Sequence, residues 1–163
     1  MNLKDSDYPV YNTLTKAAAT WPDQLAITDE YGALTYSQLY EKTELLKNFL
    51  LYSGTVPETG IALMTNNSRY FIIGLYAGIG SGCVVMPLAN YQRPEEVRQA
   101  LQQARIHFIL SDNPEMASLG NQVTAINLFE QPLYLSKTGF GVQNKTVPFL
   151  TDVAVMRFTS GTT

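Results

Sequence analysis

The residues of this chain best suited to chemistry are its last five, Thr159, Ser160, Gly161, Thr162 and Thr163. Four hydroxyls surround one glycine. A glycine lets the backbone take positive φ and lets a ligand come close. Successive N–H groups and hydroxyls can then converge on an anion, most simply a phosphate. The same composition also makes ordinary loops and linkers. What favours the phosphate reading is position. The run follows the apolar segment Val153-Ala154-Val155-Met156, which reads as a buried strand. Open α/β sheets bind their ligands beyond the C-terminal ends of strands.

Other chemistry-bearing residues have structural readings. His107 is the single histidine and falls near the start of an expected strand, away from the strand C-termini. No Ser-His-acid arrangement is readable around it. Cys83 is the only cysteine, so no intrachain disulfide or cysteine metal cluster can form. It opens an apolar run and reads as a small buried thiol. Asp112 ends an expected strand and could face a ligand, although Asp112-Asn113-Pro114 is also a common turn start. Glu95 and Glu96 follow Pro94 at a helix start, where the helix dipole accounts for them. No residue is assigned a catalytic role and none is assigned to a metal.

The elements that must aim the terminal loop follow from hydrophobic spacing. Pro9–Thr20 reads as a helix, Leu25–Thr28 and Ala33–Tyr36 as a hairpin, and Ser37–Tyr52 as an amphipathic helix. Ile61–Met64, Cys83–Met86 and Ile106–Leu110 read as strands. The helices between them run from about Arg69 to Ile79, capped by Asn66-Asn67-Ser68, and from Pro94 with Val97, Leu101 and Ala104 inward. Strand–helix–strand–helix–strand with short links predicts an α/β fold with a mainly parallel sheet and right-handed crossovers. Val123–Ile126 could add a strand, and Leu133–Leu135 is expected to form a hairpin with Gly141-Val142.

Composition bounds the rest. The chain has 163 residues, enough for one domain. Charged residues make up 15%, against about 25% in a typical soluble domain, which suits elements buried on two sides. A net charge of −3 with no basic stripe argues against nucleic acid as the main ligand. Tyr70–Gln92 lacks charge over a length that could span a bilayer, but Gly80-Ser81-Gly82 and Pro87 split it into a helix and a strand. No signal peptide is readable, and a cytoplasmic location follows.

In this order the elements resemble the opening part of the adenylate-forming enzymes: acyl-CoA synthetases, luciferases and peptide-synthetase adenylation domains. The resemblance is collinear and weakest from Asn113 to Leu150. Trp21-Pro22-Asp23-Gln24-Leu25-Ala26-Ile27 is similar to the family's entry segment, and Leu34-Thr35-Tyr36-Ser37-Gln38-Leu39 resembles its leucine-threonine-tyrosine signature. Asn66-Asn67-Ser68 is similar to its asparagine-serine loop, and Gly82–Leu88 resembles its alanine-glycine-alanine…proline-leucine segment. Phe158–Thr163 looks like the start of its phosphate-binding loop, the most specific of these motifs. Gly80-Ser81 and Asn90-Tyr91 depart from the family pattern.

The resemblance implies a two-step reaction. A carboxylate attacks the α-phosphorus of Mg-ATP, and a thiol, usually that of coenzyme A, then takes the acyl group. It casts Thr159–Thr163 as donors to the β- and γ-phosphates. The family's magnesium-holding acid, adenine segment and mobile lysine would all lie beyond Thr163. The chain is therefore expected to be the N-terminal portion of a large ATP-binding domain, cut within its phosphate loop and inactive alone. The Phe-Thr-Ser-Gly-Thr-Thr form tilts the reading toward an acid–CoA ligase. A carrier-protein adenylation domain and a stand-alone α/β binding module are the alternatives. Exposed edges of such a portion are expected to promote self-association.

Overall fold

Prolines and hydroxyls set where the helices begin in the computed structural model, which describes residues 7–141 and 153–157. Helix α1 (Pro9–Thr20) opens on its proline, whose missing N–H is no loss in a first turn. After the hairpin β1 (Leu25–Asp29) and β2 (Gly32–Thr35), Thr35 starts α2 (Tyr36–Tyr52) with a reciprocal capping box. The Gln38 N–H donates to Thr35 Oγ1 at 3.3 Å, and the Thr35 N–H donates to Gln38 Oε1 at 2.9 Å. Tyr36 is thus the first residue of the helix, not the last of the strand. Ser68 caps α3 (Arg69–Gly80), accepting from the Tyr70 N–H at 3.3 Å. Pro94 opens α4 (Pro94–Gln103), and Asn113 caps the single turn α5 (Pro114–Ala117).

The main sheet has the order β4-β3-β5-β7-β6. Strand β3 (Gly60–Met64) lies between β4 (Val84–Pro87) and β5 (Phe108–Ser111) and is parallel to both. Its five residues are all buried. Ile61 and Leu63 join the core made with α1, α2 and α3, while Ala62 and Met64 join the second core with Val97 and Leu101 of α4. That strict alternation is the pleat of a strand covered on both faces. Small residues let α3 lie close to the sheet. A methyl group added at Gly78 would stand 2.6 Å from Val85 Cγ2.

Several expected elements move. Strand β5 starts at Phe108, not Ile106, because the Ile106 N–H turns back to the Leu101 carbonyl (2.9 Å) and closes the exit of α4. Residues 121–137 form the hairpin β6 (Asn121–Asn127) and β7 (Pro132–Lys137), and β7 also pairs antiparallel with β5. Leu133–Leu135 therefore pairs within the sheet and not with Gly141. Gly141 instead packs on the His107 ring, and Val142 lies outside the described residues. Val155 makes a single parallel bridge to Val85 and is 46% exposed. Val153–Met156 is therefore an edge segment, not a buried strand. The uncharged stretch Tyr70–Gln92 divides into α3 and β4. Among the described residues, no helix is long and apolar enough to cross a membrane.

Candidate functional site

The crossovers place the ligand end of the sheet. The chain leaves β3 for one neighbour, β4, and then passes over to the other, β5. Helices α3 and α4 consequently lie on opposite faces, and the strand order reverses between β3 and β5. The loops beyond the C-terminal ends of these strands are tied together by polar bonds. Ser111 Oγ donates to the Met64 carbonyl at 2.7 Å. The Asn66 N–H donates to Asp112 Oδ2 at 2.7 Å, and Asn90 Nδ2 donates to Asn66 Oδ1 at 2.8 Å. Thr65 Oγ1, Gln92 Oε1 and Asp112 Oδ1 are buried here without a hydrogen bond. Asp112 thus does more than turn the chain. It links the loop after β5 to the loop after β3, a role that required two strands to be brought side by side before it could be seen.

The edge segment runs beside β4. The Val85 N–H donates to the Ala154 carbonyl and the Met156 N–H donates to the Val85 carbonyl, each at 2.9 Å. The register of a parallel pair then carries Arg157 level with Pro87, the last residue of β4. The chain therefore runs toward the same rim at which β3, β4 and β5 end. Thr159, Ser160, Gly161, Thr162 and Thr163 lie outside the described residues. A cleft of about 600 Å³, lined by Tyr8, Pro57, Ile79, Cys83, Val84 and Ala154, lies at the opposite end of β4.

The other singled-out residues are dispersed. His107 Nδ1 accepts the Gly60 N–H at 3.1 Å, joining the entries of β3 and β5. Cys83 is buried against Ser81, and burial pushes its thiol up to about 11, which leaves little thiolate to act as a nucleophile at neutral pH. Glu95 and Glu96 stay exposed in the first turn of α4. Among the described residues, no three His, Cys, Asp or Glu side chains gather as a metal site would require.

Sequence reasoning missed one charged cluster. Arg69, at the start of α3, is buried and grips Asp29 at the end of β1. Arg69 Nη2 lies 2.6 Å and Nε 3.1 Å from Asp29 Oδ1, and the Arg69 backbone N–H donates to Oδ2 at 2.8 Å. The guanidinium lies over the rings of Phe129 (5.1 Å) and Tyr31 (5.6 Å). The Tyr70 ring meets both Tyr31 and Phe129 edge-on at 5.8 Å. The hydrogen bond from Arg69, opposed by burial, holds the Asp29 carboxyl down at about 2. The cluster fastens the N-terminal hairpin to α3. Its only trace in the sequence is an arginine at the mouth of an otherwise apolar helix.

A profile of the AMP-binding enzyme family matches residues 14–163. The chain belongs to that family. Among curated proteins, it is 27% identical to tyrocidine synthase 3 of Brevibacillus parabrevis over 94% of its own length. It is 30% identical to bacitracin synthase 3 of Bacillus licheniformis over 66% of its length. It spans only 2% of either of these relatives. Solved structures share the fold. The N-terminal subdomain of Klebsiella oxytoca NpsA matches with a TM-score of 0.61 at 20% identity, over 64% of this chain and 27% of that one. The N-terminal domain of FACL13 from Mycobacterium tuberculosis matches with a TM-score of 0.63 at 19% identity, over 69% and 30%. The α/β fold is thus that of the N-terminal subdomain of adenylation enzymes.

Proposed function

We propose that the chain is the N-terminal portion of an adenylation domain that activates an amino acid with ATP and passes it to the thiol of a carrier protein. The observation that supports this most is the nature of the relatives. A nonribosomal peptide synthetase of Fusarium pseudograminearum is peptide-assembling by name, and it is 28% identical over 64% of the chain. In this reading the carboxylate attacks the α-phosphorus of ATP and the bond to pyrophosphate breaks; the carrier thiol then attacks the acyl carbonyl of the adenylate, the acyl–phosphate bond breaks, and AMP leaves as the thioester forms. The substrate is already ionised near neutral pH, so the first step needs no general base. Thr159, Ser160, Gly161, Thr162 and Thr163 hold the β- and γ-phosphates with backbone and hydroxyl donors. The edge segment beside β4, which runs toward the rim, supports this reading. When bound, Mg2+ would offset the phosphate charge beside these donors.

The second reading is an acid–CoA ligase, with coenzyme A as the thiol. It rests on the Phe158-Thr159-Ser160-Gly161-Thr162-Thr163 form of the loop. The coding sequence downstream of Thr163 separates the two. A carrier domain following the adenylation domain is expected. Completion of the enzyme without one would favour coenzyme A, and a stop codon directly after Thr163 would contradict both.

A further inference from the structure

Thr65 Oγ1, Gln92 Oε1 and Asp112 Oδ1 are buried oxygens with no hydrogen-bond partner among the described residues. Buried polar atoms are almost always partnered, so three along one rim point to a ligand. Register and pleat bring two of them together. Leu63 pairs with Leu110 and Met64 with Ser111, so one residue further on Thr65 stands beside Asp112. Leu63 and Leu110 face one core while Met64 and Ile109 face the other, and this alternation turns Thr65 and Asp112 to the same side. The Asn66 N–H, next along the chain from Thr65, donates to Asp112 Oδ2 at 2.7 Å and leaves Oδ1 as the unused oxygen. Asn90 Nδ2, 2.8 Å from Asn66 Oδ1, ties in the loop that carries Gln92. Thr65 itself is only 7% exposed.

We propose that these three oxygens form a site for a monovalent cation, Na+ or K+. The donor set is oxygen alone, which suits a hard cation. Asp112 supplies one negative charge, and among the described residues it has no ion pair. A carboxylate oxygen taken out of water without a counter-charge is costly, and a bound cation removes that cost. Gln92 Oε1 adds a carbonyl dipole, and the Thr65 hydroxyl can turn its proton away and offer a lone pair. A carboxylate among acceptors repels an anion, and one carboxylate matches one positive charge. Divalent ions ask for more. Among the described residues no three acidic, histidine or cysteine side chains gather, and Mg2+ demands near-ideal octahedral geometry. The ion fastens the loops that leave β3, β4 and β5. It is distinct from the Mg2+ that accompanies ATP, and the inference does not depend on which thiol accepts the acyl group.

The test is thermal unfolding of the chain in NaCl, KCl and tetramethylammonium chloride at matched ionic strength, so that general screening is the same in each. A ligand that binds only the folded state raises the midpoint as its concentration passes its dissociation constant. The midpoint is expected to be higher in NaCl or KCl than in tetramethylammonium chloride, and the arm with the higher midpoint identifies the ion. Asp112→Asn keeps an acceptor for the Asn66 N–H but removes the charge, and it should abolish the difference between salts. Thr65→Val removes the hydroxyl at nearly constant volume. It should raise the half-effective salt concentration several-fold, so the claim does not hang on one variant. Glu95→Gln, exposed in the first turn of α4, should leave the difference intact. Equal midpoints in the three salts would overturn the proposal and leave water as the partner of these oxygens. So would a salt difference that persists undiminished in both Asp112→Asn and Thr65→Val.

Discussion

Asp29 and Arg69 show how much a single buried pair can bias stability. The side chains are 10% and 5% exposed respectively. Removing one partner leaves the other charge buried and unpaired, which typically costs about 3–5 kcal/mol. Arg69→Met should therefore lower the unfolding free energy by roughly 3 kcal/mol in a urea titration. The pair also sets an acid limit. The Asp29 carboxyl lies at about 2 in the folded chain against 3.8 ordinarily. A depressed carboxylate contributes its full stabilisation above its unfolded value, and that contribution is lost as pH falls from near 4 through about 2. About 2 kcal/mol should disappear over that window, and Asp29→Asn should flatten the acid limb of the stability profile. Cys83 gives a second readout. Buried, with its thiol raised to about 11, it should react with a thiol reagent at neutral pH only as fast as the chain opens. Denaturant should accelerate labelling in step with unfolding, and rapid labelling of the native chain would contradict its placement. The burial of Cys83 was legible because it opens an apolar run. The Asp29–Arg69 pair was not, since forty residues separate its members and only packing of the hairpin on α3 joins them.

At the scale of elements, starts were more legible than pairings. Pro9, Ser68 and Pro94 mark helix beginnings through local chemistry, and those helices begin where their caps say. The partner of Leu133–Leu135 was misread because pairing depends on distant chain: β7 is held by β5 as well as by β6. Val153–Met156 was read as buried because an apolar run looks alike at a sheet centre and at a sheet edge. The contact between α3 and β4 offers a direct check on packing. Alanine is the better helix former by about 1 kcal/mol, yet a methyl group at Gly78 would press on the stiff, fully buried Val85. Gly78→Ala should therefore destabilise the chain by about 1–3 kcal/mol, measured as a lowered urea midpoint. Thr35→Ala should cost about 1 kcal/mol by removing the capping box of α2.

For the whole molecule, the described residues build a scaffold and a rim, and the edge segment beside β4 heads toward that rim. The fold class and the family resemblance were legible because βαβ alternation and short motifs are local in sequence. The choice of thiol acceptor was not, because neither the loop form nor the sheet carries the acceptor's binding surface. The loop form favours coenzyme A, whereas the carrier protein proposed above rests on a peptide synthetase among the relatives. The proposal makes the 163 residues insufficient for catalysis, so they should show no ATP–pyrophosphate exchange by themselves. The most direct measurement is ATP–pyrophosphate exchange by the full product of the gene containing these residues, assayed against a panel of amino acids and a panel of aliphatic acids. Exchange dependent on an amino acid, reduced by Ser160→Ala or Thr163→Ala, is the predicted result. Exchange confined to aliphatic acids, with release of a coenzyme A thioester, would contradict it.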